Sequence, residues 1–206
     1  MIILKYIGVI ARKNKDKYTL NEEIIHVIKN NNFNILPIIV DFNNDPNLEF
    51  IKVEPLIKMC SGFILQGGTD LFDIDILITK YLHKSNIPTL GICLGMQTMA
   101  MAFSGKMSNI KNHHSLEKYV HKVKINKNSK LYSILLKKDE ILVNSRHNDY
   151  ITDTSLNISG TDLNNNIEAI EDKNKSFFIG VQWHPESIMD DENSVLLFKN
   201  FFFNIN

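Results

Sequence analysis

Cys93 lies in the segment Gly91-Ile-Cys93-Leu-Gly95, with one glycine two residues before it and another two residues after it. The residues ahead of it, Ile87–Ile92, read as a buried strand, and Leu94–Phe103 is apolar nearly all round, as a buried helix is. A cysteine at that switch, between glycines that let strand and helix cross closely, has the pattern of a nucleophile elbow with sulfur in place of oxygen. The following helix N-terminus favours the thiolate, the nucleophilic form. Cys60, without such flanks, reads as a buried structural thiol. A thiolate nucleophile needs an acid to protonate the leaving group and an acceptor to orient that acid. Val181-Gln-Trp-His-Pro-Glu186 supplies both. His184 follows an apolar strand at Phe177–Gln182, and Pro185 makes a short stiff link that can hold the Glu186 carboxylate beside the imidazole.

The elements that must position these groups alternate along the first half, as in a parallel sheet covered by helices. Ile2–Ile10 is the first strand; Thr19-Leu-Asn-Glu22 has capping-box spacing and opens a helix to about Lys29; Ile35–Val40 is the second strand. Phe50–Met59 reads as helical despite Pro55, Gly62–Gln66 as a third strand ending at Gly67-Gly68, and Asp73–Lys84 as a helix with Ile74, Ile78, Tyr81 and Leu82 on one face. In the second half Tyr119–Ile125, Ile141–Val143 and Ile167–Ile170 are short strand-like runs, and a last helix covers roughly Asn193–Phe203. Asn30–Asn32 and Asn126–Lys130 read as solvated loops, and Phe201-Phe-Phe203 as core. The expectation is one α/β domain over residues 1–206: a mainly parallel central sheet with helices on both faces and a late antiparallel excursion.

Composition narrows the function. The chain has 206 residues, and 23 Lys+Arg balance 23 Asp+Glu, so no net field favours nucleic acid or an anionic membrane. Two cysteines outside any C-x-x-C pattern argue against a disulfide framework and a structural zinc site. The apolar opening is broken by Lys5, and no apolar run approaches the roughly 20 residues that span a bilayer. A soluble, cytoplasmic protein is expected. Asn (25) and Ile (29) are so abundant that asparagine runs carry little functional signal. His113-His114 could ligate a metal, yet adjacent histidines project differently, and a polar loop near the site is the better reading.

Gly91-Ile-Cys93-Leu-Gly95-Met-Gln97 together with Gln182-Trp-His184-Pro-Glu186 resembles the class I glutamine amidotransferase domain and its γ-glutamyl hydrolase (peptidase C26 type) relatives. Strand one, the Gly67-Gly68 turn, the elbow, the Val143-Asn-Ser-Arg-His147 loop and the terminal His-Pro-Glu occur in that family's order, over most of the chain. The resemblance implies the corresponding sandwich fold and a Cys93–His184–Glu186 triad attacking a γ-glutamyl amide through a thioester. It implies an oxyanion site of backbone N–H groups from Gly67 or Gly68 and from Leu94, and glutamyl contacts from Gln97, Ser145, Arg146 and His147. It calls for no metal and no organic cofactor.

The resemblance leaves the amine open. A small chain ending at Asn206, without a G-x-x-x-x-G-K-[ST] phosphate loop, favours a stand-alone hydrolase of a small-molecule γ-glutamyl substrate. The leading specific expectation is release of cytidine diphosphoramidate from γ-glutamyl-CDP-amidate, in capsule phosphoramidate synthesis. The alternatives are a γ-glutamyl-γ-aminobutyrate-type hydrolase, a glutaminase subunit feeding ammonia to a separate synthase, and a non-catalytic regulatory subunit; a homodimer is also open. Only Arg12 and Arg146 among the 23 cations are arginine, and both fall at the expected site end of the sheet. A guanidinium grips carboxylate or phosphate bidentately where lysine cannot. Arg146→Lys is therefore expected to raise the substrate KM; an unchanged KM would show the placement to be incidental.

Overall fold

The computed structural model describes residues 4–109 and 115–205. Strand β1 (Tyr6–Ile10) is followed by a short hairpin, β2 (Arg12–Asn14) and β3 (Lys17–Thr19). Then come α1 (Glu22–Asn30), β4 (Asn34–Ile38), α2 (Pro46–Lys58), β5 (Cys60–Leu65), α3 (Asp73–Lys84), β6 (Thr89–Ile92) and α4 (Leu94–Ala102). The second half holds β7 (Lys106–Asn109), β8 (His121–Ile125), α5 (Lys130–Ile134), β9 (Glu140–Val143), β10 (Asp149–Asp153), β11 (Asn157–Thr161), β12 (Ile167–Glu171) and β13 (Phe178–Val181). A 3-10 turn at Pro185–Ile188 leads into α6 (Glu192–Phe203).

One eleven-stranded sheet runs β4-β1-β5-β6-β13-β12-β11-β8-β9, with β10 pairing β12 and β7. Every pair from β4 to β13 is parallel. Every pair beyond β13 is antiparallel. The fold is thus α/β with a parallel central section and an antiparallel extension. Strand side chains alternate between two cores because successive Cβ atoms point to opposite faces. Ile7, Val9, Leu90, Ile92, Ile179 and Val181 meet α1 and α6 on one face. Ile10, Phe63, Leu65 and Phe178 meet α2, α3 and α4 on the other.

The helix α4 sinks unusually deep onto the sheet. Gly180 on β13 pairs with Gly91 on β6. A Cβ on Gly180 would lie 2.9 Å from Met96 Cγ, and one on Gly91 would lie 2.8 Å from the Gly95 carbonyl. A Cβ on Gly95 would run into the backbone carbonyl of Leu65. The glycines thus set the depth at which the first turn of α4 rests, directly beneath Cys93.

Several local expectations change. The first strand is Tyr6–Ile10, and Met1–Ile3 lie outside the described residues. Thr19 does not cap α1: it belongs to β3, its hydroxyl donates to the Arg12 carbonyl, and Asn21 caps the helix by accepting from Glu23 and Ile24 N–H. The backbone turns into the helix two residues later than the capping-box spacing implies. The second helix starts at Pro46, not Phe50, because Asp45 is an N-cap and Pro46 is suited to the first turn. Lys130 is not loop; with Ser129 as cap it opens α5, and the preceding Asn126–Ser129 stretch is a turn. Strands β2, β3, β7, β10 and β11 were not expected. No helix among the described residues is long and apolar enough to cross a membrane.

Gly95→Ala is expected to cost about 3 kcal/mol or more, since its clash is with backbone, whereas Gly160→Ala, which meets the Val123 and Ala169 side chains at 3.0 and 3.2 Å, costs about 1 kcal/mol or less. Urea unfolding of the two variants checks the ranking; equal losses would contradict it.

Candidate active site

Cys93 joins β6 to α4 with φ 53° and ψ −106°, a conformation that costs a non-glycine residue about 1–3 kcal/mol. Backbone bonds on both sides hold it there. Its N–H donates to the Val181 carbonyl at 2.9 Å, and its carbonyl accepts from the Gln97 N–H at 3.1 Å. The result is a sulfur raised at the end of two parallel strands and placed at the start of a helix. The N–H of Leu94, first residue of α4, belongs to the set that a helix leaves without an internal partner.

His184 follows β13, whose pairing beside β6 brings it to the nucleophile. Its ring sits beside Cys93 under the Gly67 turn, and Nδ1 lies 2.8 Å from Glu186 Oε1. Its backbone is clamped from both sides by one side chain: the His184 N–H donates to Asn144 Oδ1 at 2.8 Å, and Asn144 Nδ2 donates to the His184 carbonyl at 2.9 Å. Asn21, the α1 cap, extends Nδ2 to Glu186 Oε1 at 3.5 Å. Burial works against the charged ring, but the neighbouring Cys93 sulfur and the bonded Glu186 carboxylate outweigh it; the His184 pKa rises to about 10. The arrangement can hold a thiolate–imidazolium pair and deliver a proton at its edge.

The Gly67-Gly68 turn follows β5 and covers this pair. A Cβ on Gly67 would sit 2.9 Å from His184 Cε1 and 3.8 Å from Cys93 Cβ, and one on Gly68 would sit 2.9 Å from Leu94 Cδ2. Only backbone fits there. A cleft of about 340 Å³ opens beside it, lined by Gly68, Thr69, Cys93, Gln97 and Arg146–Asp149.

The class-I glutamine amidotransferase model matches residues 15–204. The chain belongs to this family. It is 33% identical over 167 residues to a GMP synthase [glutamine-hydrolyzing] of Francisella tularensis subsp. novicida, a match covering 80% of this chain and 30% of that protein. The chain therefore spans about 30% of the length of the curated relatives it matches. Among solved structures, the glutaminase domain of Trypanosoma brucei CTPS with bound acivicin superposes with TM-score 0.75 at 19% identity, over 96% of this chain and 93% of that one. A Thermotoga maritima glutamine amidotransferase superposes with TM-score 0.67 at 16% identity, over 99% and 97% of the two chains.

Within the amidotransferase fold the expected residues do not all converge. Cys93, His184, Glu186, Gly67, Gly68 and Leu94 meet. Gln97, Arg146 and His147 reach the cleft, but Gln97 also turns its Nε2 inward, to the Asp149 carbonyl at 3.0 Å and to Gln182 Oε1 at 3.3 Å. Ser145 is fully buried behind the lining, its carbonyl accepting from Ser115 N–H. Arg146 donates to Ser187 Oγ at 2.8 Å. Arg12 lies under the turn, 3.5 Å from where a Gly68 Cβ would stand, and pairs with buried Asp75 at 2.8 Å; burial raises the Asp75 pKa against the pull of Arg12. His113 and His114 fall outside the described residues. Cys60 donates to the Leu56 carbonyl and burial pushes its thiol up to about 12, as suits a structural cysteine. The supports the sequence did not reveal are Asn21, Asn144 and Gln182. The one signal was that Asn144 and Gln182 lie inside the quoted motifs.

The sign of the pH effect follows from His184. Its pKa is raised in the folded state above 6.5, so the imidazolium contributes stability fully present below pH 6.5 and lost as pH rises through about 10. Glu186→Gln removes one of its negative partners. The stability gap between parent and variant is expected to be about 1–3 kcal/mol near neutral pH and to narrow toward pH 10 in urea unfolding; a gap independent of pH would refute the imidazolium.

Proposed function

We propose that this domain, taken as one unit over residues 1–206, is a glutaminase that hydrolyses the side-chain amide of glutamine and supplies ammonia to a synthase. What carries the reading is the placement of Cys93 beside a His184 ring that is bonded to Glu186, both under a turn that admits only backbone. Cys93 thiolate adds to the γ-carbonyl, and the carbonyl electron pair moves onto oxygen. That oxyanion accepts from the N–H of Leu94 and of Gly67 or Gly68, donors aimed at charge that exists only in the transition state. His184, charged before the reaction, gives its proton to the departing nitrogen as the C–N bond breaks, leaving ammonia and a γ-glutamyl thioester. Water then loses a proton to His184 as its oxygen bonds to the thioester carbonyl; the C–S bond breaks, and glutamate leaves with the thiolate restored. Glu186 remains the acceptor that orients and steadies the imidazolium. Gln97, Arg146 and His147 line the cleft where the glutamyl group would lie.

Glutamine is the favoured substrate because the relatives are glutamine-hydrolyzing synthases and a structural neighbour is a glutaminase domain. Their names also favour a synthase, on a separate chain or the same one, as the partner. Cleavage of γ-glutamyl-CDP-amidate or of a γ-glutamyl-γ-aminobutyrate-type amide would use the same thioester with a larger amine, and no comparison supports either. A regulatory subunit is disfavoured by the intact set of Cys93, His184 and Glu186.

Purified protein is expected to release glutamate from glutamine, faster with a cognate synthase present, and Cys93→Ala is expected to lower the rate by about 10⁴-fold or more. Parallel assays with γ-glutamyl amines and a γ-glutamyl phosphoramidate separate the substrate classes. Release confined to one of those would replace the glutaminase reading, and equal release by Cys93→Ala would end the enzyme reading.

A further inference from the structure

Gln182 is the last polar side chain before Trp183 and His184, and it is fully buried. Its Nε2 donates to Cys93 Sγ at 3.6 Å, within reach of a large, polarisable acceptor. Its Oε1 accepts from Gln97 Nε2 at 3.3 Å, and that same nitrogen donates to the Asp149 carbonyl at 3.0 Å. The Gln182 backbone is pinned as well, its N–H donating to the Glu168 carbonyl at 2.8 Å. The chain of donors has one consistent direction. Turning the Gln182 amide over would face an oxygen toward the sulfur and an NH₂ toward the NH₂ of Gln97, losing both bonds at once.

We propose that Gln182 is a positioning residue for the nucleophile: its amide donates to the Cys93 thiolate independently of the imidazole, and Gln97 fixes which way that amide points. The inference rests on the thiolate chemistry proposed above and adds a second donor to it. Gln97 thereby acts on the nucleophile through Gln182, besides lining the cleft. A donor to a charged acceptor, away from water, stabilises the thiolate form over the thiol. Because the bond neither touches substrate nor moves a proton, its loss should slow the chemical step and leave glutamyl binding nearly unchanged.

The test uses the intact chain and iodoacetamide, whose reaction reads the thiolate of Cys93 without any substrate. Gln182→Met keeps the side-chain length and removes the donor. Across a pH series its half-maximal alkylation is expected about one unit higher than the parent's, with about tenfold slowing at pH values below the parent's midpoint. With a turned-over γ-glutamyl substrate, kcat should fall about tenfold and KM stay within about twofold. Gln97→Met leaves Gln182 in place but unpins its amide, so about a threefold slowing is expected even if Gln182→Met does not fold. A folded Gln182→Met, or failing that a folded Gln97→Met, with parental alkylation rate and pH profile would overturn the proposal. A parent that cleaves no γ-glutamyl amide, while its alkylation still responds to these variants, would sink the glutaminase reading and leave the positioning of the thiolate standing.

Discussion

Everything at the site depends on how closely α4 crosses the sheet. The helix reaches that depth only because Gly91, Gly95 and Gly180 present no Cβ at the crossing. With strand and helix so close, the connecting residue has no room for an ordinary turn, and Cys93 takes φ 53°. The strain is held by two backbone bonds that belong to different elements, one to β13 and one to α4. The same crossing therefore sets the buried sulfur at the strand ends, puts a helix N-terminus beside it, and ties it to the strand that leads to His184. Loosening the glycines would relax the backbone of Cys93 and separate it from His184 in a single step.

The antiparallel extension looks peripheral but supplies the other half of the site. The parallel strands deliver Cys93 and His184 to one end of the sheet, as in other open α/β sheets, where functional groups gather beyond the carboxyl ends of strands. What keeps His184 at the correct angle comes from farther out: Asn144 just after β9, and Asp149 at the start of β10, whose carbonyl orients Gln97. Strand β12 links the two regions through its pairing with β13 and β10. The extension is the scaffold for the cleft wall opposite the glycine turn.

This division explains what could be read from the sequence. Strands buried on both faces, such as Thr89–Ile92 and Phe178–Val181, appear as continuous apolar runs, and Cys93, His184 and Glu186 lie beside them in short motifs. Strand β7 is exposed along its whole length and β10 is half exposed, so neither shows a clear strand alternation in the sequence. The hairpin β2–β3 is three residues a side and largely solvated, which leaves no apolar pattern to detect. Asn21 and Asn144 were hidden for a different reason. With 25 asparagines in the chain, the residue type had no discriminating value, and only the fold distinguishes two that bond to His184 and Glu186 from the many that face water. Gln97 was legible as a site residue, but its inward bond to Gln182 spans 85 positions, a pairing that local pattern does not carry.

The zero net charge conceals a concentration of buried charge around the cleft. Arg12 and Asp75 pair under the glycine turn, and Glu168 lies fully buried between His121 and His147, at 3.5 and 3.9 Å, its pKa raised by burial against the pull of His121. Buried ion pairs add little net stability, because desolvation offsets most of their attraction. Apolar residues of the same volume would serve a stable core as well or better. Their placement is the informative feature: Arg12 supports the turn that covers Cys93, and Glu168 faces the histidine that lines the cleft. One pair joins the β2–β3 hairpin to α3, and the other joins the cleft-lining loop at His147 to β12. A directional bond between such groups fixes an angle that apolar contact leaves free, and in this fold the angles that matter are those of the turn, the cleft wall and the imidazole around one strained cysteine.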